Sequence, residues 1–154
     1  MTCNLFLYGV FACCCLIHCY TDMKKMLLYD VVSLAMVIAG PCFRWLQKDL
    51  AGGFYGLLIV GGCFLMLFLL AQGGMGFGDV ELAVALGAWL GWQQGLLCLL
   101  LALCLGSVVG IFILLLHGNS RKRRLPFAPY MCLSALLMLA WGQKLLSWYL
   151  QFFD

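Results

Sequence analysis

Charge is what this sequence has least of. Only 10% of its 154 residues are Asp, Glu, Lys or Arg, against 66% that are hydrophobic. Soluble domains carry ~25% charged and ~45–50% apolar residues. A water-soluble fold of this length cannot hide so much apolar surface, so lipid must be the solvent for much of the chain. Long polar stretches are missing too. The longest, His117 to Arg124, has the length of a loop, so a single membrane-embedded domain over residues 1–154 is expected, with no nucleic-acid partner.

The ten cysteines include no CxxC pair, which removes support for a zinc ribbon or a redox motif. Most lie in apolar runs (Cys13, Cys14, Cys15, Cys19, Cys63, Cys98, Cys104 and Cys132) and read as small hydrophobes. For Cys13–Cys15, helix filler is the plain reading; metal binding or lipidation is the alternative. The apolar run Leu5–Tyr20 has no basic region before it and no A-x-A-like site after it, so a retained first helix is expected instead of a cleaved signal peptide.

What is there is a series of apolar runs. On the measure of about 20 apolar residues per span, six are predicted: Cys3 to Tyr20, Met26 to Leu46, Gly52 to Ala71, Val80 to Trp92, Gly95 to His117 and Phe127 to Phe152. The fold class is an all-α membrane helix bundle. Lys24, Lys25, Arg121, Lys122, Arg123 and Arg124 fall in the odd-numbered loops, whereas the even-numbered loops hold Arg44 and Lys48. By the positive-inside rule the odd loops face the cytoplasm and both chain ends face outward. Arg121–Arg124 reads as this topological anchor, with recruitment of acidic membrane lipid or of a partner as the alternative.

That topology has a chemical consequence. Asp22 closes the first span and Asp79 opens the fourth, so both reach the cytoplasmic face, with Asp30 nearby and Asp49 on the other side. An acid in a span is costly, about +2.5–3.5 kcal/mol near a helix centre on insertion scales, and less toward the interface. A lone interfacial Asp reads as a helix cap or a topology residue. Two on one face, one of them within Gly76-Phe77-Gly78-Asp79, read as a site, because glycines let a second chain approach closely and irregular backbone at membrane depth has to line a cavity.

Three stretches resemble the type IV prepilin leader peptidases. Asp22-Met-Lys-Lys-Met-Leu-Leu-Tyr29-Asp30 is similar to that family's first acidic motif. Gly74-Met-Gly-Phe-Gly-Asp79 and the residues following it to Gly91 are similar to its G-x-G-D motif. Leu125-Pro-Phe-Ala-Pro-Tyr130 is similar to the segment opening its last helix. The resemblance implies a membrane aspartic endopeptidase with Asp22 and Asp79 as the catalytic pair, and Gly76, Gly78, Asp30 and Pro126 as supporting motif residues. It implies removal of the short basic leader from a prepilin-like protein substrate at the cytoplasmic face of a bacterial or archaeal cell membrane. No metal, nucleotide or other cofactor is implied. The sequence departs from the family pattern with Tyr29 for Pro, Glu81 for Lys and Ala128 for Gly. It also has no N-terminal region with paired CxxC motifs, which in the larger members accompanies N-methylation, so methyltransferase activity is not expected.

Alternatives stay open. Tyr29-Asp30 with a G-x-G-D is also similar to presenilin-like proteases, which would make Asp30 the first acid, but their P-A-L motif does not occur here. Asp22, Asp79 and Glu81 could also form a proton or cation path, although no inverted repeat supports a transporter and the acids cluster at one face instead of the midplane. An inactive structural member is the third reading. Glu81 reads as a pore-facing or paired acid, and His18 and His117 as interfacial residues. Trp89, Trp92, Trp141 and Trp148 suit aromatic belts and packing. Gly106-x-x-x-Gly110 suits packing inside the bundle as readily as dimerisation, and nothing else speaks for a homo-oligomer.

Overall fold

A computed structural model describes residues 2–25, 28–71, 75–117 and 126–151. They form five helices, α1 (Thr2–Lys25), α2 (Asp30–Leu46), α3 (Leu50–Leu70), α4 (Phe77–His117) and α5 (Ala128–Leu150), with no strand among the described residues. Three stretches, Phe6–Lys24, Leu50–Leu70 and Phe77–Leu116, are long and apolar enough to cross a membrane. The basic cluster Arg121–Arg124 and the glycines Gly73 and Gly74 lie outside the described residues.

The count of helices is five where six spans were expected, and the difference lies in α4. Its 41 residues run through both the fourth and the fifth expected spans. A straight helix of that length would extend ~60 Å, about twice the hydrocarbon thickness. Gly91 removes the conflict by taking φ 78° and ψ 175°, which is not helical. A Cβ built on Gly95 would lie 3.6 Å from the Cα of Gly87, although eight residues along a straight helix are separated by ~12 Å. The chain therefore folds back at Gly91, and residues 77–90 and 92–117 are the arms of one hairpin. The helix also begins at Phe77, earlier than expected, which places Asp79 in its first turn.

The entrance to α2 is later than the sequence suggested, at Asp30 instead of Met26. Tyr29, which stands where proline is usual in the family the motifs resemble, takes φ −83° and ψ 110°. That is close to the φ of about −65° that a proline ring imposes, so Tyr29 holds a backbone that proline could also take. At its other end α2 closes with Lys48 at φ 60°. The N–H of Lys48 donates to the carbonyl of Trp45 at 2.9 Å and that of Asp49 to Arg44 at 3.0 Å, the bond pair of a left-handed helix cap. Asp49 then caps α3, its carboxylate accepting from the N–H of Gly52 at 3.0 Å.

Packing centres on Trp89 of α4. Its ring stacks on Phe43 of α2 at 5.0 Å and meets Phe11 of α1 at 4.9 Å. Its indole N–H donates to the carbonyl of Met36 at 2.7 Å, which satisfies the one polar atom of a buried tryptophan. α3 lies against α4 along a line where Gly56 and Gly87 touch backbone to backbone, and a Cβ on either would strike the other's carbonyl. Small residues at such a crossing are how helices approach closely without a hydrophobic driving force in lipid. Gly106 is used the same way, inside the bundle, with the ring of Phe127 over it. The cysteines behave as small apolar residues: Cys15, Cys98 and Cys132 are buried together, and every described cysteine is free.

Gly91 and Gly62 offer a paired test. Gly91 holds a backbone region open essentially to glycine alone, costing other residues ~1–3 kcal/mol, and the Arg44 guanidinium occupies the space a Cβ would take. Gly62 is exposed in α3 with nothing within 4 Å of a Cβ, and helix propensity favours alanine there by ~0.5–1 kcal/mol. Thermal unfolding in detergent should show a lower Tm for Gly91→Ala and an equal or higher one for Gly62→Ala. A Gly91→Ala variant as stable as the wild type would contradict the hairpin geometry.

Candidate active site

One end of the bundle gathers the C-terminal ends of α1 and α3 and the N-terminal ends of α2, α4 and α5. The contacts that define it are local and specific. Phe68 near the end of α3 meets Phe77 at the start of α4 with ring centroids 5.7 Å apart, and Phe64 meets Phe127 at the same separation. A Cβ on Gly78 would press at 3.0 Å on Leu28, just before α2.

Asp22 comes from the last turn of α1. The inner face of that helix reads Phe11, Cys15, His18, Asp22, each buried, at the 4-3-4 spacing that keeps residues on one side of a helix. Asp22 is 6% exposed. Its Oδ2 accepts the backbone N–H of Ala128 at 3.0 Å. The first N–H groups of a helix have no partner within it, and α5 has no capping side chain of its own. The carbonyl of Phe127 accepts from Tyr130 and Met131, while Pro129 has no N–H to offer. Asp22 thus supplies from a different helix the acceptor that an N-cap residue supplies locally. The carboxylate also sits where the positive end of the α5 dipole favours negative charge.

Asp79 stands in the first turn of α4 and is 7% exposed. Its N–H donates to the carbonyl of Gly76 at 3.2 Å, which tucks the turn Gly76-Phe77-Gly78 under the helix. Gly76 also lies beside the carboxylate, where a Cβ would come 3.7 Å from Oδ2. Asp22 and Asp79 are within Coulombic reach of each other. Two buried acids from two helices, reaching one place from opposite chain directions, share this end of the bundle.

Asp30 stands apart from them. It is exposed at the first position of α2, and the acid in Coulombic contact with it is Glu81, half-buried one turn into α4. Pro126 is half-buried just ahead of α5. Among the described residues no cluster of His, Cys, Asp and Glu could hold a metal ion.

His18 corrects the sequence reading. It is fully buried, not interfacial, with Nε2 3.4 Å from the hydroxyl of Ser33 on α2 and Nδ1 without a partner. Its carbonyl accepts the hydroxyl of Thr21 at 3.2 Å. The signal was present in the chain: His18 falls one turn before Asp22, in register with Phe11 and Cys15. It places a polar pair directly beneath the acids.

Comparison with known proteins bears on this arrangement. Residues 9–111, which include both buried acids, match the type IV leader peptidase family. The chain is similar to proteins named prepilin leader peptidase/N-methyltransferase: 35% identical over 138 residues to that of Aeromonas salmonicida, 36% over 143 to that of Aeromonas hydrophila and 35% over 139 to that of Pseudomonas aeruginosa. Each match covers 85% of this chain and 47–48% of the relative, so the chain spans about half the length of the curated relatives it matches. No solved structure matches it. With the family matched across both acids and the relatives agreeing over most of the sequence, the chain belongs to the type IV leader peptidase family.

Proposed function

We propose that the chain is a membrane aspartic endopeptidase that removes the short basic leader of a prepilin-like precursor, with Asp22 and Asp79 as its catalytic pair. The observation that carries the reading is the meeting of two buried carboxylates at one end of the bundle, within Coulombic reach of each other. Like charges buried together disfavour double ionisation, so the mechanism starts with one member protonated and the other ionised. The ionised member takes a proton from water as it attacks the scissile carbonyl, and the protonated member donates a hydrogen bond to the carbonyl oxygen. When the tetrahedral species collapses, the leaving nitrogen receives a proton from the pair, which returns to its starting state.

Gly76 and Gly78 suit the edge along which an extended segment would lie beside the acids. The relatives' name couples two activities, and we assign this chain the first, peptide hydrolysis. The cytoplasmic orientation of the site in a cell membrane rests on the six cations at Lys24, Lys25 and Arg121–Arg124.

The reading is tested with membranes holding the full chain and a precursor bearing a basic leader that ends in glycine. At equal expression, Asp22→Asn and Asp79→Asn should each lower cleavage by roughly 10²–10⁴-fold, the usual share of general acid–base catalysis, while Asp30→Asn stays within a few-fold of wild type. Cleavage by all three variants at the wild-type rate would sink the aspartic mechanism.

The bond to Ala128 gives a separate expectation for stability. Asp22→Ala leaves a buried N–H without an acceptor, at a cost of ~1–3 kcal/mol, whereas Asp22→Asn retains a carbonyl oxygen in its place. The alanine variant should therefore melt at a lower temperature than the asparagine variant, although both are inactive. Equal melting temperatures would mean that the Asp22 bond contributes nothing to holding α5.

A further inference from the structure

The end of the bundle farthest from the acids is polar without any assigned role. Two adjoining cavities of about 220 and 230 Å³ lie there, sharing Arg44, Leu90, Gln94 and Gln143 in their walls. They are smaller than the ~300–1,000 Å³ of drug-sized sites and fit a headgroup. Arg44 reaches them from the last turn of α2 with its side chain only 12% exposed. One of its terminal nitrogens donates to Asp49 at 2.9 Å, the other lies over Gly91, and Nε is buried without a partner. A guanidinium with donors to spare is a ready fork for phosphate oxygens.

Lys144 of α5 lines the first cavity and makes no ion pair among the described residues. With Arg44 paired to Asp49, Lys144 leaves this pocket one positive charge in excess. Of the exposed tryptophans, Trp141 lines the first cavity and Trp92 the second, and Trp45 follows Arg44 in α2. Tryptophan at that level marks the headgroup layer of a bilayer. The first turn of α3 joins the polar cavity to an apolar one: Gly52 lines the former, while Leu50, Phe54 and Tyr55 line, with Pro41 of α2, a groove of about 660 Å³.

We infer that this end of the bundle holds an anionic phospholipid, its phosphate between Arg44 and Lys144 and its acyl chains along the groove at Pro41 and Phe54. An excess cation, an unfilled guanidinium, a headgroup-level tryptophan set and an adjoining apolar groove describe an amphiphile with a negative head. A free anion would use the first two features only. The site is independent of the peptidase reading, since none of its residues touches the acids.

The test uses the full chain in neutral detergent, titrated with phosphatidylglycerol, with phosphatidylcholine or with inorganic phosphate. Melting temperature serves as the linked readout of binding, and native mass spectrometry counts bound lipid. Phosphatidylglycerol should raise Tm and remain bound, and the other two should not. Lys144→Gln, at an exposed position that leaves the fold intact, should weaken phosphatidylglycerol binding about fivefold, the factor matching ~1 kcal/mol per basic residue near anionic lipid. Arg44→Lys, which retains charge without the fork, should weaken it as well. Equal effects of the two lipids, or of phosphate alone, would overturn the inference, as would a Lys144→Gln variant that binds phosphatidylglycerol like the wild type.

Discussion

The hydrocarbon layer is ~30 Å thick, and the apolar stretch from Phe77 to His117 is 41 residues long. Neither length can give way, so the chain must reverse, and it does so at Gly91. That reversal requires a backbone conformation closed to other residues and a neighbour that fills the space beside a residue without a Cβ. Arg44 is that neighbour. The same turn returns the second arm of α4 to the acid end of the bundle, from which the chain enters α5 beside Asp22. Without the reversal, Ala128 could not reach Asp22, and α1 and α5 would lose the bond that ties them.

The bundle consequently has two ends of different chemistry. At one, helix N-termini and buried carboxylates face each other. Asp22 is held by the first N–H of α5, whose dipole favours negative charge there while the C-terminal end of its own α1 opposes it. Asp79 sits on the first turn of its own helix, where the dipole favours negative charge. The proposed mechanism has one member of the pair ionised and the other not, and repulsion between like charges works toward that difference. At the other end, a helix C-terminus carries Arg44, and glutamines with a free lysine make a cavity that suits an anion.

Much of this was legible in the chain. Apolar runs of span length foretell helices because lipid leaves few alternatives to them. Asp22 and Asp79 could be placed on one face by counting crossings, and His18 could have joined them from its register with Phe11 and Cys15. The fused α4 was less legible: Gly87, Gly91 and Gly95 recur every four residues, and nothing local tells which of them breaks the helix. The later start of α2 was not legible either: Tyr29 takes an extended backbone just before the first helical residue, and no local signal announces it.

Solvent preference, helical class and the emergence of both acids at one end of the bundle were legible in the sequence alone, because each follows from hydropathy and from where charges interrupt it. Which atoms meet was decided by tertiary structure. Asp22 and Ala128 are 106 positions apart, Trp89 and Met36 are 53 apart, and Arg44 shares a cavity with Lys144 across two helices. Such pairings depend on helix rotation and crossing depth, set by the near contact of Gly56 with Gly87 and by the turn at Gly91. Those are properties of surfaces fitting together, and a one-dimensional pattern of polar and apolar residues does not contain them.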